Sequence, residues 1–394
     1  MRLLDTYALP CGAKIDKPFL LENYFPLPID KFITFNAQSK YEAKDYDYWQ
    51  AVINLVAPVL AQEGIQICQI GGPNELPYQR VVDLRGQTNM HQLAYVIKRA
   101  KLHLGPDSFA THIASSFDIP LVGLYSVSAA EVSGPQFGSP DKQILFKGYE
   151  RVGTGKPSYA AKEAPKSINS IKPEEIADAV FKLLKIDFKT PFETIHIGPR
   201  YNSRIIREIV PDTNIHISNP EAPVEIRADL HLDEDIIARQ LSYLHKAVVI
   251  TSKPINLKLL QHFKSHIGLL VYRIEKDDQP SFVKDAINLG LPILLVSALS
   301  EAELAPKKIH YYEFGKIHPL LKPSQETVDK LKKDFDKLYY HSSKLIASKG
   351  QMFASHAARE LGHAIQNDFE YTKVIDSPSF WDDLDFYTII RKND

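Results

Sequence analysis

Short apolar segments alternate with amphipathic segments over residues 32 to 184. Runs of consecutive apolar residues predict buried strands, and apolar residues recurring every three or four positions predict helices. Strands and helices that alternate at this spacing form a parallel sheet with right-handed crossovers. The first half therefore predicts a Rossmann-like α/β domain. Its predicted strands are Phe32–Phe35, Ile65–Ile70, Val81–Val82, Leu102–Leu104 and Leu121–Tyr125, and its predicted helices are Tyr48–Glu63, Met90–Arg99, Ser108–Phe117 and Pro173–Leu184.

A second alternating series begins at residue 194, and a helical pattern covers Gln325 to Phe369. The predicted fold class is therefore α/β, with two Rossmann-like domains and a helical C-terminal tail. The predicted boundaries are 1–185, 194–320 and 321–394. The predicted strands of the second series are Thr194–Ile197, Asn214–Ile217, Ala247–Thr251, Gly268–Tyr272 and Pro292–Ser297.

The composition limits the classes of function. A chain of 394 residues exceeds what one hydrophobic core usually serves, which favours two domains. It has no apolar run of about eighteen residues, so no membrane span is expected. A formal net charge of -1 gives no general positive field for nucleic acid. Two cysteines and an N-terminus unlike a signal peptide predict a cytoplasmic location.

Asp107 and Ser108 stand where a predicted strand ends and a predicted helix begins. The first amides of a helix lack internal partners and bind phosphate, and parallel sheets place ligands at the carboxyl ends of their strands. His112 follows one turn later, within reach of the same ligand. The alternative interpretation is that Asp107 and Ser108 form an ordinary helix N-cap.

Further motifs occur around this turn in a fixed order. They are Gly71-Gly72-Pro73-Asn74-Glu75, Leu84-Arg85-Gly86-Gln87-Thr88, Gly134-Pro135-Gln136-Phe137-Gly138 and Ile171-Lys172-Pro173-Glu174-Glu175-Ile176. Together with the run from Val81 to Tyr125, they resemble the C-terminal, nucleotide-sugar-binding domain of the ADP-heptose:lipopolysaccharide heptosyltransferase family, which is glycosyltransferase family nine and has the GT-B fold.

The resemblance implies a donor site for a nucleotide-diphosphate sugar. It implies phosphate or sugar contacts for Asp107, Ser108 and His112, in a turn that the family uses to hold the diphosphate. It implies that Glu75, which follows Gly71 and Gly72 at a strand end, contacts the nucleotide ribose.

Two positions leave the donor site open to more than one interpretation. The family uses a lysine in the loop after the first strand of the domain, and both Lys40 and Lys44 match it. A cation there would stabilise the leaving diphosphate. Phe109 occupies the position of a family glycine, where backbone approaches phosphate closely. We therefore expect either an altered donor preference or a loss of binding.

The order of the domains differs from that of the family, which places this domain second, after an acceptor domain with a catalytic Gly-Asp loop. Here it comes first, as in a circularly permuted transferase, which would put residues 194–320 on the acceptor side. That segment has no Gly-Asp loop. Asp229, His231 and Asp233 form its dense cluster of acids and histidine and are the predicted base candidates. A charged loop followed by a helix N-cap is the alternative interpretation.

The predicted function is sugar transfer from a nucleotide-diphosphate donor to an acceptor hydroxyl, with inversion and without metal or cofactor. The rival is a catalytically silent nucleotide-sugar-binding or scaffolding protein. A dinucleotide-dependent oxidoreductase is disfavoured, because no Gly-x-Gly-x-x-Gly motif follows a strand. The sequence does not choose among a glycolipid, a protein, a small glycoside and a nucleic-acid base as acceptor, and it does not specify the oligomeric state.

Overall fold

Two large sheets, one in each half of the chain, organise the structure, which is a computed structural model. It describes residues 2–16, 18–153, 155–198, 201, 206–215, 224–320, 322–365, 372–373, 377–382, 384 and 387–392. The chain divides into two compact units, residues 1–194 and residues 195–392.

The first unit alternates strands and helices. Its strands are β1 (Phe32–Phe35), β2 (Gln66–Gln69), β3 (Val82–Asp83), β4 (His103–Pro106), β5 (Leu121–Tyr125) and β6 (Gln143–Lys147). Its helices are α1 (Leu3–Ala8), α2 (Trp49–Gln62), α3 (Met90–Arg99), α4 (Phe109–Ser116), α5 (Ala130–Ser133) and α6 (Pro173–Leu184).

The strand order of the first sheet is β3-β2-β1-β4-β5-β6, and all pairings are parallel. From β1 the chain runs outward to β3, then crosses back to β4 on the other side of β1. This reversal opens a crevice at the carboxyl ends of β1 and β4, where doubly wound sheets bind ligands. The predicted parallel α/β fold is confirmed here.

Burial explains why the strands of this sheet were readable from the sequence. All four residues of β1 are buried, as expected for a parallel strand covered on both faces. Trp49 of α2 is fully buried and packs edge-on against Phe35 at 5.1 Å between ring centroids. Helix α3 begins at a capping box formed by Asn89 and Gln92.

The second unit contains more strands than the first. They are β7 (Phe192–Ile197), β8 (Ile206–Ile209), β9 (Val224–Arg227), β10 (Ala247–Thr251), β11 (Ile267–Ile274), β12 (Ile293–Ser297), β13 (Ile317–Pro319), β14 (Leu338–Ser342), β15 (Lys344–Ser348), β16 (Gln351–Phe353), β17 (Thr372–Lys373) and β18 (Tyr387–Lys392). Its helices are α7 (Glu234–Tyr243), α8 (Leu257–His262), α9 (Pro280–Asn288), α10 (Glu301–Tyr311), α11 (Gln325–Lys332), α12 (His356–Glu360) and α13 (Pro378–Asp382).

The large sheet of the second unit has the order β13-β12-β11-β10-β9-β8-β15-β16. From β9 to β13, each strand pairs with the strand before it in the sequence, and the sheet grows in one direction. Right-handed crossovers in one constant direction place their helices on one face, so α7 to α10 share a face. A hydrophobic core joins them to the sheet through residues such as Ile226, Val249 and Leu295.

The prediction of a helical tail is wrong for residues 338–353, which lie between α11 and α12. Residues 338–353 form β14, β15 and β16, and β14 belongs to a four-stranded sheet of order β17-β14-β18-β7. Buried Leu338, Tyr340 and Ser342 alternate with less buried neighbours, which is the period of a strand. Pairing of β15 with β8 then completes the large sheet.

The predicted strand at Asn214–Ile217 is also wrong in its described part. Asn214 and Ile215 are not in a strand, and residues 216–217 lie outside the described residues. The strand of this region is β8, which ends five residues earlier. In the described part of the chain, no helix combines the length and apolar character needed to cross a bilayer.

Candidate functional site

The loop after β1 meets the turn between β4 and α4 at the switch point of the first sheet. Lys44 Nζ lies 2.6 Å from Asp107 Oδ2, and the two side chains are only 15% and 6% exposed. Ser128 Oγ donates to the same carboxylate oxygen at 2.6 Å, and Ser133 Oγ at 3.5 Å. The Asp107 carboxylate is therefore buried among one cation and two hydroxyl groups.

The N-terminus of α4 lacks a side-chain cap. Ser108 occupies the N-cap position, but its side chain accepts no hydrogen bond from the first turn. Its Oγ donates instead to Asn36 Oδ1 at 3.1 Å, while Ser39 Oγ donates to the Asp107 carbonyl oxygen at 2.9 Å. The interpretation as an ordinary N-cap is therefore wrong. The first amides of α4 retain the capacity to bind an anion.

A cavity of about 500 Å³ in the first unit has one polar end and a largely apolar wall. Lys44, Asp107 and His112 line the polar end. Burial and the nearby Lys44 charge lower the pKa of His112, while Asp107 raises it, and the net shift is downward. The imidazole is therefore neutral at neutral pH. The apolar wall includes Leu3, Leu4, Leu20, Ile113, Val132 and Phe137.

Glu75 folds back on the loop at the carboxyl end of β2. Its Oε1 accepts a hydrogen bond from the Gly72 amide at 2.7 Å. Its Oε2 is buried and has no hydrogen-bond partner among the described residues, and burial raises the pKa of the carboxyl group. Gly71 has φ +150°, and a Cβ there would lie 2.3 Å from Glu75 Oε2. Another residue would be strained at this φ and would have to displace the Glu75 carboxylate, so glycine suits the position.

Lys44, rather than Lys40, reaches Asp107. Lys40 is exposed, with Nζ 5.8 Å from the centroid of the Tyr41 ring. Phe109 is the first residue of α4, and its side chain is 52% exposed. The ring is therefore half-exposed at the start of α4 and does not belong to the buried core.

Residues 9–145 match the sequence model of glycosyltransferase family 9 (heptosyltransferase). The first unit resembles that family. The match includes β1 to β5, the turn at Asp107 and the loop that carries Lys44. No curated protein matches the chain.

Solved structures of this family show partial similarity to the chain. A family 9 glycosyl transferase from Veillonella parvula is 21% identical over 40% of this chain and 46% of its own, with a TM-score of 0.32. The E. coli ADP-heptose lps heptosyltransferase II is 21% identical over 40% and 48%, with a TM-score of 0.32. The iron-containing dodecameric glycosyltransferase TibC from enterotoxigenic E. coli is 15% identical over 44% and 52%, with a TM-score of 0.35. The chain therefore spans about half the length of these structures.

Sequence reasoning missed four polar residues around Asp107 that lie outside the family motifs. Asn36 and Ser39 follow β1, and Ser128 and Ser133 follow β5. Their positions in the sequence could have identified them, because each follows the carboxyl end of a strand adjacent to β4.

Asp45 was also missed, and it shapes the loop that carries Lys44. Asp45 Oδ1 accepts a hydrogen bond from the Ser39 amide at 2.8 Å. Burial raises the pKa of Asp45 to about 6, against the opposing effect of that hydrogen bond. The loop therefore holds a partly buried acid next to the candidate site.

The predicted base candidates of the second unit have structural partners. Asp229 is 1% exposed and accepts two hydrogen bonds from Arg227, at 2.8 and 2.9 Å, and one from Arg273 at 2.7 Å. Burial alone would raise the pKa of Asp229, but the hydrogen bonds and charge of Arg227, and then of Arg273, hold it below its usual value. A carboxylate so stabilised is a weak base.

Asp233 caps a helix. Its Oδ1 accepts from the Ile236 amide at 3.0 Å at the start of α7. The helix-cap interpretation of this residue is confirmed. His231 is exposed and precedes α7, so its predicted role as a base stays a prediction.

Proposed function

We propose that the protein is a glycosyltransferase that moves a sugar from a nucleotide-diphosphate donor to an acceptor hydroxyl. The observation that carries this proposal is the uncapped N-terminus of α4 beside Lys44 at the switch point of the first sheet. Amides at a helix N-terminus and a nearby cation suit a diphosphate. The similarity of residues 9–145 to glycosyltransferase family 9 supports the same assignment.

In this proposal Lys44 exchanges its partner when the donor binds. The ammonium group leaves the Asp107 carboxylate and neutralises the diphosphate, together with the first amides of α4. Asp107, with hydroxyl donors from Ser128 and Ser133 nearby, then accepts hydrogen bonds from the donor sugar. Glu75 Oε2, which has no partner among the described residues, accepts one from a ribose hydroxyl.

The proposed reaction is an inverting displacement at the anomeric carbon. The acceptor oxygen forms a bond to that carbon, the bond to the diphosphate oxygen breaks, and a base takes the hydroxyl proton. Negative charge grows on the diphosphate, where Lys44 and the α4 amides stabilise it. Of the three predicted bases, Asp229 and Asp233 have structural partners, and His231 stays a prediction. The proposed reaction uses neither metal nor cofactor and occurs in the cytoplasm.

A nucleotide-sugar-binding protein without catalysis is the second candidate. Phe109 in place of the family glycine favours it, because a bulky residue begins α4 where the family resemblance implies a close approach of backbone to phosphate. The absence of a Gly-Asp loop from the sequence favours it as well. Such a protein would bind nucleotide diphosphates and release no product.

The test is release of nucleotide diphosphate from a panel of nucleotide sugars, with and without glycoside acceptors. We expect turnover by the natural protein and at least a hundredfold loss in Asp107→Asn and His112→Ala. Asp141→Asn is the matched control, because Asp141 is exposed and lies outside the cavity. Circular dichroism checks that each variant is folded.

Two results would contradict the proposal in different ways. Nucleotide binding without turnover on any donor would favour the binding protein. Full turnover in folded Asp107→Asn and His112→Ala would show that the chemistry takes place elsewhere.

A further inference from the structure

A cavity of about 460 Å³ lies wholly within the second unit, on the face of the large sheet opposite α7 to α10. Its floor is formed by residues that alternate with the core residues along the strands. In β9, for example, Val224 and Ile226 join the core, whereas Glu225 and Arg227 line the cavity. Residues after 320, among them Lys322 and His356, complete the wall.

Buried charges form a connected network on this floor. Arg227 binds Glu208 at 2.8 Å and Asp229 at 2.8 Å, and Lys344 binds Glu208 at 2.7 Å. Desolvating such charges costs as much as their attraction returns, so apolar residues would stabilise the sheet at least as well. A network of this kind beside a cavity of ligand size indicates a binding role.

The charges lining the cavity balance. It has equal numbers of acidic and basic side chains: Glu208, Glu225, Asp229 and Asp382 against Arg227, Arg273, Lys322 and Lys344. Burial lowers the pKa of His356, which adds no charge at neutral pH. The carboxylates would repel a diphosphate, and the cations would repel a polyamine. The cavity therefore favours a neutral ligand that both donates and accepts hydrogen bonds.

One carboxylate oxygen of Glu225 lacks a hydrogen-bond donor among the described residues. This oxygen, Oε2, is buried, and its ion pair with Lys344 is long, at 3.6 Å. Burial, the neighbouring Glu208 carboxylate and a hydrogen bond between the two carboxyl groups raise the pKa of Glu225, while Lys344 lowers it, and the net shift is upward. An inorganic anion cannot donate to this oxygen, whereas a hydroxyl group can. Beside the charged part of the floor, Ile250, Val271 and Val296 present an apolar surface.

We propose that this cavity binds a neutral polyhydroxylated sugar. Glu225 accepts from its hydroxyls, Arg273 donates to them, and the apolar strand residues contact the C–H face of the ring. This assignment does not depend on nucleotide binding by the first unit.

The test uses the full chain and saturation-transfer NMR with free ligands: methyl glycosides of neutral hexoses, a uronic acid, glycine and inorganic phosphate. We expect saturation transfer to at least one neutral glycoside and about a tenfold weaker dissociation constant in Glu225→Gln, the order expected for one hydrogen bond to a charged group. Glu301→Gln is the matched control, because Glu301 is exposed on α10 and lies outside the cavity. Thermal melting checks that both variants are folded.

The outcomes separate this inference from the transfer proposal. Binding of glycine, phosphate or the uronic acid in preference to every neutral glycoside would overturn it, as would equal sugar affinity in Glu225→Gln and Glu301→Gln. Nucleotide diphosphate binding by Glu225→Gln, measured in parallel, should equal that of the natural protein. Its loss would contradict the independence of the two sites.

Discussion

Replacing Lys44 by methionine removes the cation from the candidate donor site and retains a side chain of similar length. Asp107 then keeps its hydrogen bonds from Ser128 and Ser133 but loses the charge 2.6 Å away. Two effects follow. The folded state contains an uncompensated buried carboxylate, and a bound diphosphate faces that carboxylate without the lysine.

The structure sets the size of each effect. Breaking a buried ion pair by removing one partner typically costs about 3 kcal/mol or more of unfolding free energy, and both side chains here are largely buried. Loss of one charge-assisted hydrogen bond to the diphosphate corresponds to a roughly 10- to 100-fold weaker dissociation constant. Lys40→Met removes an exposed lysine from the same loop and should change neither quantity appreciably.

Tryptophan fluorescence can follow unfolding of the first unit alone. The chain has two tryptophans, and in a Trp381→Phe background only Trp49, buried beside β1, reports. Urea denaturation then gives the unfolding free energy, and isothermal titration with ADP and UDP gives the affinities. In Lys44→Met with Asp107→Asn, most of the lost stability should return, because neither charge remains buried, while nucleotide affinity stays low. Unchanged nucleotide affinity in Lys44→Met, or an equal loss in Lys40→Met, would refute the role assigned to Lys44.

Three further predictions concern stability. Gly71→Ala should lower the urea midpoint by an amount corresponding to about 2 kcal/mol of unfolding free energy, because alanine is strained at this positive φ and its Cβ would overlap Glu75 Oε2. An unchanged midpoint would contradict this packing. Arg227→Met should cost about 3 kcal/mol in chemical denaturation, since it leaves buried Glu208 without that partner, and a stabilised variant would contradict it. The raised pKa of Asp45, about 6, means that folding becomes less favourable as pH rises from about 4 to 6. Asp45→Asn should therefore be about 1 kcal/mol more stable than the natural protein at pH 7.5, after allowance for solvent screening. This difference in unfolding free energy should vanish near pH 4. A difference that does not change with pH would count against this reasoning.

The fold of the first unit could be predicted from the sequence because its central strands, β1, β4 and β5, are buried on both faces. Largely apolar runs at β1 and β5 predicted the sheet, and Leu102 and Leu104 on either side of His103 predicted β4. The Asp107 turn indicated the carboxyl edge of the sheet. The choice between Lys40 and Lys44 could not be made in advance. It depends on the loop conformation, which hydrogen bonds such as that from the Ser39 amide to Asp45 hold in place.

The tail was misread for a different reason. Its helical pattern is real in α11, but the strands after it are stabilised by partners distant in sequence. Lys344 of β15 lies beside β8 and binds Glu208, 136 residues earlier. The network around Asp229 shows the same limit. The sequence predicts no strand at β9, and the partners of its charges lie on strands distant in sequence, such as Glu208 on β8.

The most direct test of the donor site is a crystal structure of the full chain with ADP or UDP. We expect phosphate oxygens within hydrogen-bond distance of the first amides of α4, and Lys44 Nζ moved from Asp107 to the diphosphate. A nucleotide bound mainly by residues beyond 194, or one that leaves the pair of Lys44 and Asp107 intact, would contradict it.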